Sequence, residues 1–170
     1  TILVTGGSQG AVSINAALAD AVERLTGAGF QILHAYGRKN DAPATHDHYT
    51  AVPYIDDMEA AYAVADVVVC RSGAMTVAEN SAAGIPAIYI PLPHGNGEQG
   101  LNSAHLVDAG AALRIDDAAL SGDVLVDKLL PLVAPEARAT MRAALKDSGA
   151  GSVAEDLAAR IAAAAGKDTK

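Results

Sequence analysis

Residues Asp66 to Asn102, DVVVCRSGAMTVAENSAAGIPAIYIPLPHGNGEQGLN, leave this chain few folds to choose from. They read as a short buried strand over Asp66 to Cys70, a glycine turn at Arg71-Ser72-Gly73-Ala74, and a helix over about Met75 to Ala83. A second buried strand over Pro86 to Ile90 and a polar loop follow. Strand carboxyl ends and helix amino ends meet in such an arrangement, and in an open parallel sheet that crevice is where a ligand sits. The start of a helix supplies unpaired N–H groups and the positive end of a dipole, which favour an anion such as a diphosphate. Glu79 follows Met75 by four residues and Thr76 by three, so it lies one turn past the anion position. A carboxylate there suits the two hydroxyls of a ribose, or is simply a solvated helix residue.

The same pattern opens the chain. Thr1 to Thr5 predicts a strand, Gly6 to Ala11 a glycine turn, and Ile14, Leu18, Val22 and Leu25 mark the apolar stripe of a helix. Two specific phosphate-binding motifs are tested and fail. A dinucleotide fingerprint requires Gly where Thr5 stands and an acidic residue after the next strand, but Phe30 to Tyr36 runs into Gly37-Arg38-Lys39. A P-loop requires Lys-Ser/Thr after the last glycine, and Gly10 is followed by Ala11-Val12. The turn serves either an anion or packing alone.

Further along, Tyr49 to Pro53 predicts a short strand and Asp56 the N-cap of a helix. Ile55, at that strand's end, can pack on a flat base or enter the core. The loop Pro91 to Gly100 holds His94, Asn96, Glu98 and Gln99 between glycines, a donor and acceptor set that suits a sugar. Asn102 to Asp108 predicts a helix and Ala111 to Ile115 a last strand. Helices are expected over Asp123 to Val133, Pro135 to Lys146 and Ser152 to Ala165. The expected architecture is α/β: a Rossmann-like, doubly wound parallel sheet over residues 1–115 and a helical segment over 116–170, together one domain.

Composition narrows the function. A net charge of −8 argues against nucleic acid, whose phosphates are bound through Lys and Arg. The lone Cys70 excludes a disulfide framework and fits a core thiol in a reducing cytoplasm. His46 and His48 lack the spacing of a metal pair, and Asp56-Asp57 is adjacent rather than alternate, so no metal site is expected. No stretch approaches the roughly 18 to 20 apolar residues of a membrane span. The start in TILVTGG, without Met, is expected to be a cut through a larger protein.

Four motifs in order, GGSQGA (Gly6 to Ala11), PYIDDM (Pro53 to Met58), CRSGAMTVAE (Cys70 to Glu79) and PLPHGNGEQGLN (Pro91 to Asn102), resemble the carboxyl-terminal half of the MurG family. These bacterial glycosyltransferases move N-acetylglucosamine from UDP onto lipid I, making lipid II for peptidoglycan. The resemblance implies a GT-B architecture whose carboxyl-terminal half binds UDP-N-acetylglucosamine. Acceptor binding, the catalytic base and peripheral attachment to the inner face of the cytoplasmic membrane then fall to the other half. It implies Ile55 at the uracil and Glu79 at the ribose. Gly7, Ser8, Gln9, Gly10, Arg71, Ser72, Gly73, Ala74, Met75 and Thr76 are implied around the diphosphate and sugar, and His94, Glu98, Gln99 and Asn102 at the sugar loop. No cofactor or metal is implied. Many members carry Gln where Glu98 stands, and a carboxylate accepts a hydrogen bond but cannot donate one. Two other readings stay open: another GT-B UDP-sugar enzyme, such as an epimerase or a glycolipid or natural-product transferase, and a non-catalytic nucleotide-binding module.

Overall fold

The computed structural model describes residues 1–7, 9–93 and 97–150. Six parallel strands, β1 (Ile2–Thr5), β2 (Ile32–Ala35), β3 (Tyr49–Val52), β4 (Val67–Cys70), β5 (Ala87–Tyr89) and β6 (Ala112–Arg114), form one sheet in the order β3-β2-β1-β4-β5-β6. Between and after them run α1 (Val12–Gly27), α2 (Met58–Val64), α3 (Ala74–Ala82), α4 (Glu98–Asp108), α5 (Gly122–Leu129) and α6 (Pro135–Asp147). The doubly wound sheet expected from the strand and helix alternation is therefore present.

Strand alternation distributes the core. Ile2, Val4, Val67, Val69, Ile88 and Ile90 point to one face, where Ile14, Leu18, Val22 and Leu25 of α1 and Leu125 and Leu129 of α5 cover them. Leu3, Val68, Cys70, Ala87 and Tyr89 point to the other, against Ala61, Val77 and Leu106 of α2, α3 and α4. A parallel sheet covered on both faces needs apolar residues at every central strand position, and β1 and β4 are buried throughout. With few aromatics, the filling is by branched aliphatic side chains, and Phe30 is the one Phe.

The strand order reverses direction at β1. The chain leaves β1 for β2 and β3 on one side and returns to β4 on the other, so the turns after β1 and β4 diverge and open a crevice at their carboxyl ends.

Several local expectations shift. Asp57, not Asp56, caps α2: its carboxylate accepts from the Ala60 N–H at 2.9 Å, while Asp56 lies 3.6 Å from the Arg38 guanidinium. The helix expected from Asn102 begins at Glu98, because Gly97 takes φ +73 and starts it four residues earlier. The helix expected over Asp123 to Val133 tightens into a 3-10 turn over Leu130–Val133 at Pro131. The helix expected over Ser152 to Ala165 lies outside the described residues. Among those described, no helix is long and apolar enough to cross a membrane.

Candidate functional site

A cleft of about 610 Å³ occupies the crevice above β1 and β4. It is lined by Gly6, Gly7, Gly10 and Ala11 and by Gly73 and Thr76 at the start of α3. Tyr54 and Ile55 after β3, Met58 and Tyr62 of α2, and Leu92 and Gln99 also line it.

Two helices begin here without a side-chain cap. α1 starts after Ala11 and α3 after Gly73, and neither has an acidic residue in its first turn. Val77 N–H bonds the Gly73 carbonyl, so the N–H groups of Ala74, Met75 and Thr76 precede the helical ladder. Both positive dipole ends are left uncompensated by acidic side chains of their own helices. The cleft is suited to an anion by backbone alone.

Glu79 lines the cleft one turn beyond Gly73, where helical spacing places it. Its Oε2 accepts from the Tyr62 hydroxyl at 3.2 Å. Burial and the Glu79 charge push the Tyr62 phenol well above its usual range. Tyr62 was not anticipated from the sequence, since its partner is 17 residues away on another helix. Ile55 is half-buried, lines the cleft and packs against the core of α2, α3 and α4. Beside it the Tyr54 ring carries the Arg38 guanidinium at 4.5 Å.

The other expected residues divide. Gly7, Gly10, Arg71, Gly73, Thr76 and Gln99 line the cleft. The Arg71 guanidinium, however, donates to Asp117 Oδ1, to Ser13 Oγ at 2.9 Å and to the Ile90 carbonyl at 3.2 Å. It ties β4 to α1 and to the segment after β6, with its charge paired. Ser72 is fully buried, donating to the Gln99 carbonyl at 2.8 Å, and Asn102 Nδ2 donates to the Ser72 carbonyl at 3.0 Å. These two lace α4 to the turn after β4 and do not line the cleft. The Leu92 N–H donates to Gln99 Oε1 at 3.0 Å, which turns the Gln99 amide nitrogen elsewhere. Glu98 is exposed and outside the lining, a carboxylate at the amino end of α4 that complements its dipole. Ala74 and Met75 are exposed at the rim, Met75 by 72%. Gln9 is exposed, with its carbonyl held by Asn40. Ser8 and His94 lie outside the described residues.

Cys70 is buried at the end of β4, as a core thiol should be. Burial pushes it up to about 12, with Asn80 Nδ2 donating to the sulfur at 3.3 Å. Among the described residues no group of three His, Cys, Asp or Glu side chains is placed to hold a metal ion.

The sequence profile of the glycosyltransferase family 28 C-terminal domain fits residues 1–161. The chain belongs to glycosyltransferase family 28. Among curated relatives, a Corynebacterium glutamicum protein is 57% identical over 96% of this chain. It is named a UDP-N-acetylglucosamine–N-acetylmuramyl-(pentapeptide) pyrophosphoryl-undecaprenol N-acetylglucosamine transferase. A Mycolicibacterium smegmatis protein of the same name is 53% identical over 87% of the chain. The chain spans 46% and 40% of the length of these two relatives, less than half of either. Among solved structures, Acinetobacter baumannii MurG superposes with a TM-score of 0.73 at 31% identity, covering 92% of this chain and 48% of that one. A calicheamicin glycosyltransferase, 18% identical with a TM-score of 0.70 over 99% of this chain and 43% of that one, shares the fold. The resemblance carried by the four motifs is borne out, and the fold is that of a GT-B carboxyl-terminal domain.

Chemically, the cleft of this family 28 domain offers backbone donors for an anion, one carboxylate, an aliphatic wall and an amide. Of the charged side chains lining it, Arg71 is committed to Asp117 and Glu79 remains at the surface. The cleft is equipped to hold and orient a ligand.

Proposed function

We propose that this domain binds UDP-N-acetylglucosamine as the donor half of an inverting transferase that delivers N-acetylglucosamine to lipid I. The observation that carries the reading is the convergence of two uncapped helix starts with Ile55 and Glu79 in one cleft, in a chain 57% identical to a transferase so named. The uracil lies against Ile55, the ribose hydroxyls donate to Glu79, and the diphosphate spans the starts of α1 and α3. The sugar reaches toward Gln99.

In the reaction, the C4 hydroxyl of the muramyl sugar attacks the anomeric carbon from the face opposite the diphosphate. The new C–O bond forms as the bond to the β-phosphate oxygen breaks, with inversion, and the hydroxyl proton passes to a base on the other half of the protein. Charge grows on the departing β-phosphate, and the backbone donors at Gly73 to Thr76 and Gly7 to Gly10 stabilise it electrostatically. No metal is needed for that stabilisation. The acceptor, and attachment at the inner face of the cytoplasmic membrane, belong to the half this chain does not span.

Calorimetric titration of the chain with UDP-N-acetylglucosamine, UDP-glucose and UDP, without added metal, tests the reading. Saturable uridine-dependent binding is expected, weakened about tenfold to a hundredfold in Glu79→Ala because a charged acceptor of two hydroxyls is lost. Preference for the N-acetyl sugar separates this donor from that of another GT-B enzyme. Binding that ignores Glu79→Ala would remove the nucleotide from this cleft.

A further inference from the structure

Joined to the glycine turn at Gln9 and Gly10, among residues that do not line the cleft, runs a chain of hydrogen bonds that no ligand contact accounts for. It starts at Tyr49 on β3, whose hydroxyl lies 2.7 Å from His34 Nδ1, and continues from His34 Nε2 to Asn15 Oδ1 at 3.0 Å. Asn15 Nδ2 then donates to the Tyr36 carbonyl at 2.9 Å. The directions follow from the last link. Because the Asn15 amide nitrogen serves a carbonyl, its oxygen faces the imidazole, so His34 carries its proton on Nε2 and Nδ1 accepts from Tyr49. His34 is 1% exposed, and both ring nitrogens are used.

The Tyr36 carbonyl, just past β2, is the point on which the chain converges. Asn40 Nδ2 donates to it at 2.8 Å and also to the Gln9 carbonyl at 2.9 Å, joining it to the glycine turn. Backbone packing makes the joint rigid. Gly10 has φ +74, and a Cβ there would overlap the Tyr36 carbonyl oxygen; Gly37 has φ +90, and a Cβ there would overlap the Gln9 carbonyl. Each glycine admits the other segment's backbone. The turn on which an anion would rest is thus backed by one doubly bonded carbonyl, whose orientation is set through Asn15 by His34.

We propose that His34 and Asn15 are positioning residues for the diphosphate. They touch no ligand and act by fixing the Tyr36 carbonyl, which with Asn40 holds the Gly6 to Ala11 turn in its anion-binding shape. The inference rests on the reading that the cleft takes a nucleoside diphosphate, and its signature is selective: the diphosphate's contribution to binding falls while the nucleoside's stays.

The test titrates the chain with UDP and with uridine, which carries the base and ribose but no phosphate. In His34→Leu and in Asn15→Asp, which loses the donor to Tyr36, UDP affinity is expected to fall roughly tenfold and uridine affinity to stay within about twofold. His34→Gln, which keeps an N–H for Asn15, is expected to recover most of the loss. Asn40→Ala removes the two outermost hydrogen bonds without entering the core, so it tests the same joint if the buried variants fold poorly, with the same UDP-selective loss expected. Equal losses for UDP and uridine, or unchanged UDP affinity across the series, would overturn the proposal. A wild-type chain that binds neither ligand would overturn instead the reading of the cleft.

Discussion

His34→Gln is expected to flatten the acid side of this protein's stability curve. Burial holds the His34 imidazole down from its ordinary 6.5 to about 4. As pH falls, the unfolded chain takes up a proton near 6.5 while the native chain stays neutral until about 4. Across that window the unfolded state binds more protons, so stability falls with falling pH, from its full value above 6.5 to a floor below about 4. The gap of roughly 2.5 pH units, at about 1.4 kcal/mol per unit, corresponds to about 3 kcal/mol. Solvent screening takes little from this, because the side chain is 1% exposed. Urea unfolding followed by circular dichroism, from about pH 7.5 to about 4.5, measures it in the wild-type chain and in His34→Gln. Comparing the two cancels the carboxylates and the other histidines. The wild type's stability relative to the variant should fall by about 2 to 3 kcal/mol over that range. Parallel curves would mean that His34 already carries charge or water in the native state, and the assignment of Nδ1 as the acceptor from Tyr49 would fall with it.

Gly10→Ala is expected to destabilise the chain by about 2 to 3 kcal/mol in urea unfolding, because its Cβ meets the Tyr36 carbonyl at φ +74. A loss below about 0.5 kcal/mol would show that the turn and the segment after β2 are not keyed together. At the sugar end of the cleft, Gln99→Ala is expected to weaken UDP-N-acetylglucosamine relative to UDP by about tenfold, whereas Glu98→Gln changes it by less than about twofold. The reverse order in titration would place the Glu98 side chain at the sugar.

Among the described residues, periodicity predicted the strands and helices to within a few residues because their burial is local and regular. Apolar runs mark β1, β4 and β5, and the stripe Ile14, Leu18, Val22 and Leu25 became the buried face of α1. The start of α4 escaped, since Gly97 and Gly100 look like loop residues until Gly97 is seen at φ +73 opening the helix. That shift matters chemically. On a helix, the neighbours Glu98 and Gln99 point in different directions, and only Gln99 reaches the cleft.

The sequence alone determined the individual strands, the two glycine turns that begin α1 and α3, and the place of Glu79 one turn beyond, because each depends on residues within a few positions of one another. Tertiary structure alone decided which polar side chains face the cleft and which hold the frame. Arg71 sits in the glycine turn after β4, yet its charge is met by Asp117, 46 residues away. Ser72 turns inward to Gln99, and His34, which no motif contains, backs the glycine turn through Asn15. A side chain goes to the strongest partner the fold brings within reach. That partner lies at a sequence distance set by strand order and leaves no period to read.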